Sequence, residues 1–208
     1  MGPDGNMNPG FKSAHERFLK IAAEGTAELV FLGDSITAGW NGKQEIWNKA
    51  FGQYKPANFG IGGDRTQHVL WRITNGELDG IKPKCVVLMI GTNNSGTDEA
   101  ADIAKGITAI VETIRTKQPQ AKILLLAVFP RGEKASPNPG REKLAKVNAI
   151  IAKLDDGKKI HYLDIGNKFL QPDGSISKDI MHDYLHLTAE GYQIWADAIS
   201  PKLAELMK

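Results

Sequence analysis

The sequence predicts an α/β fold: a three-layer α/β/α sandwich around a five-stranded parallel sheet of order 2-1-3-4-5. Three observations carry this. The most apolar stretches, "AELVFLG", "KCVVLMIG" and "AKILLLAVFP", are short and unbroken, as strands buried on both faces are. Between them lie longer segments with apolar residues at helical spacing. The chain has 208 residues, enough for one domain with a full core.

The opening "MGPDGNMNPG" has no apolar segment of the kind a signal peptide carries. Residues 1–12 read as a disordered tail or a cloning remnant, and 13–208 as a single domain. The compartment stays open: cytoplasmic as the sequence stands, secreted had a leader been removed. A helix is expected over 13–24, with Phe18, Leu19, Ile21 and Ala22 on one face and Gly25 as its stop. The first strand is 27–33. A weaker strand, 55–60, precedes a helix at 64–73, and 84–91 forms the most apolar strand. Residues 98–118 make a long amphipathic helix striped by Ile103, Ile107, Ile110, Val111 and Ile114. Asp98 and Glu99 suit its positive end, and Pro119 follows its stop. A strand at 121–130, a helix at 141–154 and a strand at 159–165 follow. The last helix, 188–208, contains Pro201, which should kink or interrupt it.

Right-handed crossovers leave few arrangements for such a chain, and the flavodoxin-like order fits its length. Ligands in these folds sit beyond the carboxyl ends of the strands. The informative residues therefore lie just after each strand.

Composition excludes several functions. There are 26 Lys and Arg against 24 Asp and Glu, with no basic tract to grip nucleic acid. The single cysteine, Cys85, permits no internal disulfide, and its strand setting reads as buried. No run of about 18 apolar residues offers a membrane span. The glycines at 60, 62 and 63 lack the spacing and the lysine of a phosphate-binding loop.

The strand ends supply a different set. Gly33, Asp34 and Ser35 follow the first strand, "NFGIGGDRT" the second, and "GTNN", with Asn93 and Asn94, the third. Near the end, "DIMHDYLHLT" contains two Asp-x-x-His units, Asp179/His182 and Asp183/His186. A hydroxyl, backbone amides, a carboxamide and an Asp/His pair are what acyl transfer to a serine requires. Each has a plainer reading: Ser35 as a helix cap, the glycines and Asn93 as turn residues. His182 and His186, four apart, also have the spacing of two metal ligands on a helix. Spacing alone does not choose between the two pairs.

The blocks "GDS", "NFGIGG", "GTN" and "DYLH", in that order, resemble the signature of SGNH (GDSL-type) hydrolases. "NFGIGGDRTQHVLWRITNGELDGIKPK", "RGEK" and "DYLHLTAEGY" are similar to the catalytic subunits of intracellular platelet-activating-factor acetylhydrolase, over about residues 18–200. The resemblance implies a carboxylic ester hydrolase with Ser35 as nucleophile, His186 as general base and Asp183 as its orienting partner. It implies an oxyanion hole from the Ser35 and Gly63 amides and the Asn93 side chain. His182 has no counterpart in the signature, so Asp183/His186 is the expected pair. No cofactor or metal is expected, and EDTA should leave activity unchanged. Asp34 is expected to hold its turn by hydrogen bonds.

Ile36, Thr92 and Leu185 each flank one of these residues and are candidate walls of an acyl pocket. Bulky groups there favour acetyl over long acyl chains. The expected substrate is a short-chain acyl ester, small-molecule or sugar, with a carbohydrate O-acetylesterase as the alternative to the phospholipid acetylhydrolase that the resemblance implies. Trp40 and Trp47 follow the nucleophile turn and either pack in the core or stack on a sugar, as a carbohydrate O-acetylesterase would need. The animal subunits form dimers and bind a regulatory partner. The resemblance therefore leaves room for a homodimer, and for a non-catalytic dimeric interaction module as a remote alternative.

Overall fold

The computed structural model describes residues 7–208. Five parallel strands, β1 (Leu29–Gly33), β2 (Pro56–Gly60), β3 (Cys85–Met89), β4 (Lys122–Leu126) and β5 (Ile160–Leu163), form one sheet in the order β2-β1-β3-β4-β5. The expected order is the observed one. β1 and β3 are buried along their whole length, which explains their uninterrupted apolar sequence.

Among the described residues seven α-helices surround the sheet: α1 (Pro9–Glu24), α2 (Ser35–Ala38), α3 (Gln44–Phe51), α4 (Thr66–Arg72), α5 (Ala100–Lys117), α6 (Pro139–Ile151) and α7 (Ala189–Leu206). The path turns one way from β1 to β2 and the other way through β3 to β5. Right-handed crossovers therefore put α3 on one face and α4, α5 and α6 on the other. Contacts agree: α4, α5 and α6 pack side by side, and α3 packs against α7. Cys85 lies in the core, where burial pushes its thiol up to about 12. No helix among the described residues is long and apolar enough to cross a membrane.

Several boundaries differ from expectation. α1 begins at Pro9 rather than 13, because the Asn8 side chain accepts from the Gly10 and Phe11 amides and Pro9 suits the first helical position. Of the expected tail 1–12, residues 9–12 are thus helical, and 1–6 lie outside the described residues. The stop at Gly25 is left-handed, with φ of 69°. α7 runs through Pro201 without interruption. Two short helices, α2 and α3, fill the link between β1 and β2, where none was expected.

Trp40 and Trp47 belong to the core. They are 0% and 6% exposed and pack with Phe31, Phe51 and Trp195 between the sheet and α7. Neither is free to stack on a sugar, and the plainer of their two readings holds.

Candidate active site

β1 ends at Gly33, and the chain turns at once into α2. Gly33 pairs in register with Gly60 at the end of β2. A Cβ on Gly33 would fall 2.1 Å from Thr37 Oγ1, and one on Gly60 would fall 2.2 Å from the Ala38 nitrogen. Only glycine lets α2 settle onto the strand ends. Asp34 caps the turn, its Oδ1 accepting from the Ile36 amide at 2.9 Å. Its expected structural part in the turn is the one observed. Asp34 is fully buried, and desolvation raises its carboxyl to about 7.

Ser35 follows, at the first position of α2, where an amide has no intrahelical acceptor. Its Oγ lies 2.9 Å from His186 Nε2. His186 Nδ1 lies 2.7 Å from Asp183 Oδ2. Asp183 Oδ1 also accepts from the amides of Leu185, at 3.1 Å, and His186, at 2.7 Å. Partial desolvation opposes ionisation of Asp183, but the hydrogen bonds from His186 prevail and hold its carboxyl at about 2. With an ionised acceptor on Nδ1, the imidazole proton sits there, and Nε2 is free to accept from the serine.

The loop that carries Asp183 and His186 is anchored from outside. Tyr184, between them, has φ of 61°, uncommon for a side chain of its size. Its carbonyl accepts from the Gly132 amide at 2.8 Å, and its hydroxyl lies 3.1 Å from Glu133 Oε1. The "RGEK" segment therefore holds this loop in an otherwise costly shape. From α7, the Tyr192 hydroxyl donates to the Ile36 carbonyl at 2.5 Å and ties the turn that carries Ser35 to α7.

The other predicted residues gather at the same edge. Gly63 turns with φ of 79° after β2. Asn93 follows β3, and its Nδ2 donates to the Asp64 carbonyl at 2.8 Å, leaving one amide hydrogen. Its neighbour Asn94 is buried and structural: Oδ1 accepts from the Thr66 amide, and Nδ2 donates to Asp98. Ile36 and Thr92 are buried, whereas Leu185 is partly exposed.

Beneath these turns lies a residue that the sequence did not single out. Arg72, fully buried on α4, donates to the Gly33 carbonyl at 3.3 Å and the Phe59 carbonyl at 3.0 Å. Its Nε donates to Asp64 at 2.8 Å, and its Nη1 pairs with Glu77, which His15 also meets at 2.8 Å. One guanidinium thus spans the end of β1, the end of β2 and the turn that carries Gly63. Desolvation raises Asp64 to about 6, against the pull of Arg72. In sequence, Arg72 is one polar position in a helix; its partners come from β1, β2, the turn after β2 and the segment that follows α4.

His182, Asp183 and His186 bring ligand atoms within 4.8 Å of one another, so a cation could in principle find donors here. The Asp183 and His186 atoms are already committed, to each other and to Ser35. His182 stands apart, with its Nε2 3.8 Å from Asp183.

The chain is similar to several known proteins. The model of the GDSL-like lipase/acylhydrolase family matches residues 31–194. Platelet-activating factor acetylhydrolase IB subunit alpha2 of Rattus norvegicus is 47% identical over 181 residues, 86% of this chain and 77% of that protein. A putative platelet activating factor structure from Streptococcus pneumonia superposes with a TM-score of 0.78 at 21% identity, over 93% of this chain and 92% of that one. A carbohydrate acetylesterase family member from Sinorhizobium meliloti superposes with a TM-score of 0.63 at 18% identity, over 86% and 98%. At those identities the two structures show the fold alone. The family match and the animal relative show more: the chain belongs to the GDSL-like lipase/acylhydrolase family.

Proposed function

We propose that this chain is a serine ester hydrolase that releases short acyl groups, acetyl foremost, through an acyl-enzyme intermediate. The observation that carries the reading is the continuous relay Ser35 Oγ to His186 Nε2 at 2.9 Å and His186 Nδ1 to Asp183 at 2.7 Å. A serine hydroxyl attacks an ester only when a base within hydrogen-bond reach takes its proton. His186 is that base, and Asp183 holds its tautomer and steadies the imidazolium.

Attack on the carbonyl moves negative charge onto its oxygen. The Ser35 and Gly63 amides and the free hydrogen of Asn93 Nδ2 are the donors assigned to it. Collapse of the tetrahedral species expels the alcohol, which takes its proton from His186. Water, deprotonated by the same imidazole, then releases the acid and restores Ser35. Every proton passes through His186, and no further group is needed.

The preference for acetyl is supported by the acetylhydrolase relative at 47% identity. Of the three assigned walls of the acyl site, Leu185 keeps exposed surface, whereas Ile36 and Thr92 are buried.

The test is hydrolysis of p-nitrophenyl esters from acetate to decanoate by wild type and Ser35→Ala. Acetate turnover that declines with chain length and is lost in the variant is expected. Rates insensitive to Ser35 would sink the reading and favour a non-catalytic interaction module. Faster turnover of decanoate than of acetate would overturn the acyl preference alone.

A further inference from the structure

The tryptophan that the structure leaves open is Trp71, 38% exposed on α4. Phe11 of α1 packs against it at 5.8 Å between ring centroids and meets His68 edge-on at 5.9 Å. Phe11, His68 and Trp71 wall a cavity of about 770 Å³, within the range of small-molecule sites. Ile61 and Gly62, from the turn after β2, complete the wall beside the nucleophile. A Cβ on Gly62 would lie 3.9 Å from the Ser35 Cβ. One glycine therefore separates this cavity from the reacting serine.

The chemistry of the lining is selective. Among the described residues it contains aromatic rings, amides and one imidazole, but no Lys, Arg, Asp or Glu. His68 Nδ1 accepts from the Arg65 amide at 3.0 Å, so Nε2 carries the proton and is a neutral donor. A phosphate would call for a cation here, and a quaternary ammonium gains most where a carboxylate joins the aromatic cage. A sugar ring suits what is present: its apolar face lies on aromatic rings, and its hydroxyls meet neutral donors and acceptors.

We propose that this cavity is the subsite for the alcohol half of the substrate, and that it takes a neutral ring alcohol, an O-acetylated sugar. The proposal rests on the ester-hydrolase reading above and adds the alcohol to it. Trp71 is the platform, and Phe11 and His15, with ring centroids at 5.8 and 5.0 Å, hold it in place.

The experiment compares acetate release from methyl xylopyranoside triacetate and from ethyl acetate, which has no ring to seat, by wild type, Trp71→Ala and Trp71→Phe. Loss of the platform is expected to raise KM for the sugar ester about tenfold, with kcat and the ethyl acetate rate within about twofold of wild type. Trp71→Phe should recover most of the affinity. Equal losses on both esters would make Trp71 a structural residue and overturn the proposal. An unchanged KM would do the same, as would a wild type that cleaves ethyl acetate but not the sugar ester. Trp71-dependent preference for an acetylated choline phospholipid would assign the cavity to a charged headgroup instead, and also overturn it. Failure of wild type on every ester would sink the hydrolase reading. Saturation-transfer NMR of the acetylated sugar, with Trp71→Ala as control, would then decide the cavity separately: binding lost in the variant supports it, and no binding to wild type refutes it.

Discussion

Asn93 and Asp64 are joined across two strand ends, the Asn93 Nδ2 donating to the Asp64 carbonyl at 2.8 Å. That bond fixes the carboxamide against the turn that carries Gly63, so two assigned oxyanion donors move as one unit. Asn93→Ala should lower kcat on p-nitrophenyl acetate by about 10²–10³, the usual cost of one such donor, with KM little changed. A fall of less than fivefold would remove Asn93 from the hole.

Asp183 is the residue whose charge matters most to His186. Its carboxyl stays ionised down to about 2, so it does not set the acid limb of the rate profile at ordinary pH. Asp183→Asn should keep the fold and lower kcat by about 10³–10⁴, because the amide no longer holds the productive tautomer. The pH profile of wild type should show no inflection from this group above pH 3, and one traced to Asp183 near pH 4 would contradict its assigned state.

Arg72 should matter to stability before it matters to rate. Arg72→Met leaves Asp64 and Glu77 without their buried counter-charge, a change that typically costs about 3–5 kcal/mol. Urea unfolding reads this directly; a loss below about 1 kcal/mol would mean that the cluster relaxes to neutral forms without harm. At low urea, where Arg72→Met is still folded, kcat should also fall, since the Gly33 and Phe59 carbonyls lose their common donor.

Asp34 sets a pH dependence of stability. Burial raises its carboxyl from the ordinary 3.8 to about 7, with Asp64 adding to the rise while the Ile36 amide and His186 oppose it. A carboxyl raised on folding contributes stability that is complete below the unfolded value and is lost as pH rises through about 7. Between pH 5.5 and 8.5 the melting temperature of wild type should fall by about 5 °C more than that of Asp34→Asn, whose side chain cannot ionise. Parallel curves would show that Asp34 does not titrate in that window.

How much could be read from the chain follows from where each signal lies. The sheet was legible because β1, β3 and β4 are written as unbroken apolar runs, and their parallel order follows from the connections. Ser35, Asp183 and His186 come together as the motif blocks imply. Trp40, Trp47 and Trp71 show the limit. All three occur in helical segments, and local spacing does not reveal that α7 covers the first two while the third stays open. Arg72 shows the same limit for charge: a buried guanidinium and a solvated one look alike until the fold closes Asp64, Glu77 and the β1 and β2 carbonyls around it. The α1 start was missed because Asn8-Pro9 was read as part of a tail rather than as a cap.

Ser35 and His186 stand 151 positions apart, and Tyr192, which latches the Ile36 carbonyl, comes later still. On the ribosome Ser35 is therefore made well before its partner His186. A nascent chain halted anywhere before position 186 carries a serine with no means of activation, and one halted before 192 lacks the latch on its turn. Synthesis and assembly of the site are thereby ordered in time: no chain halted before position 186 should show the Ser35-dependent ester cleavage proposed above.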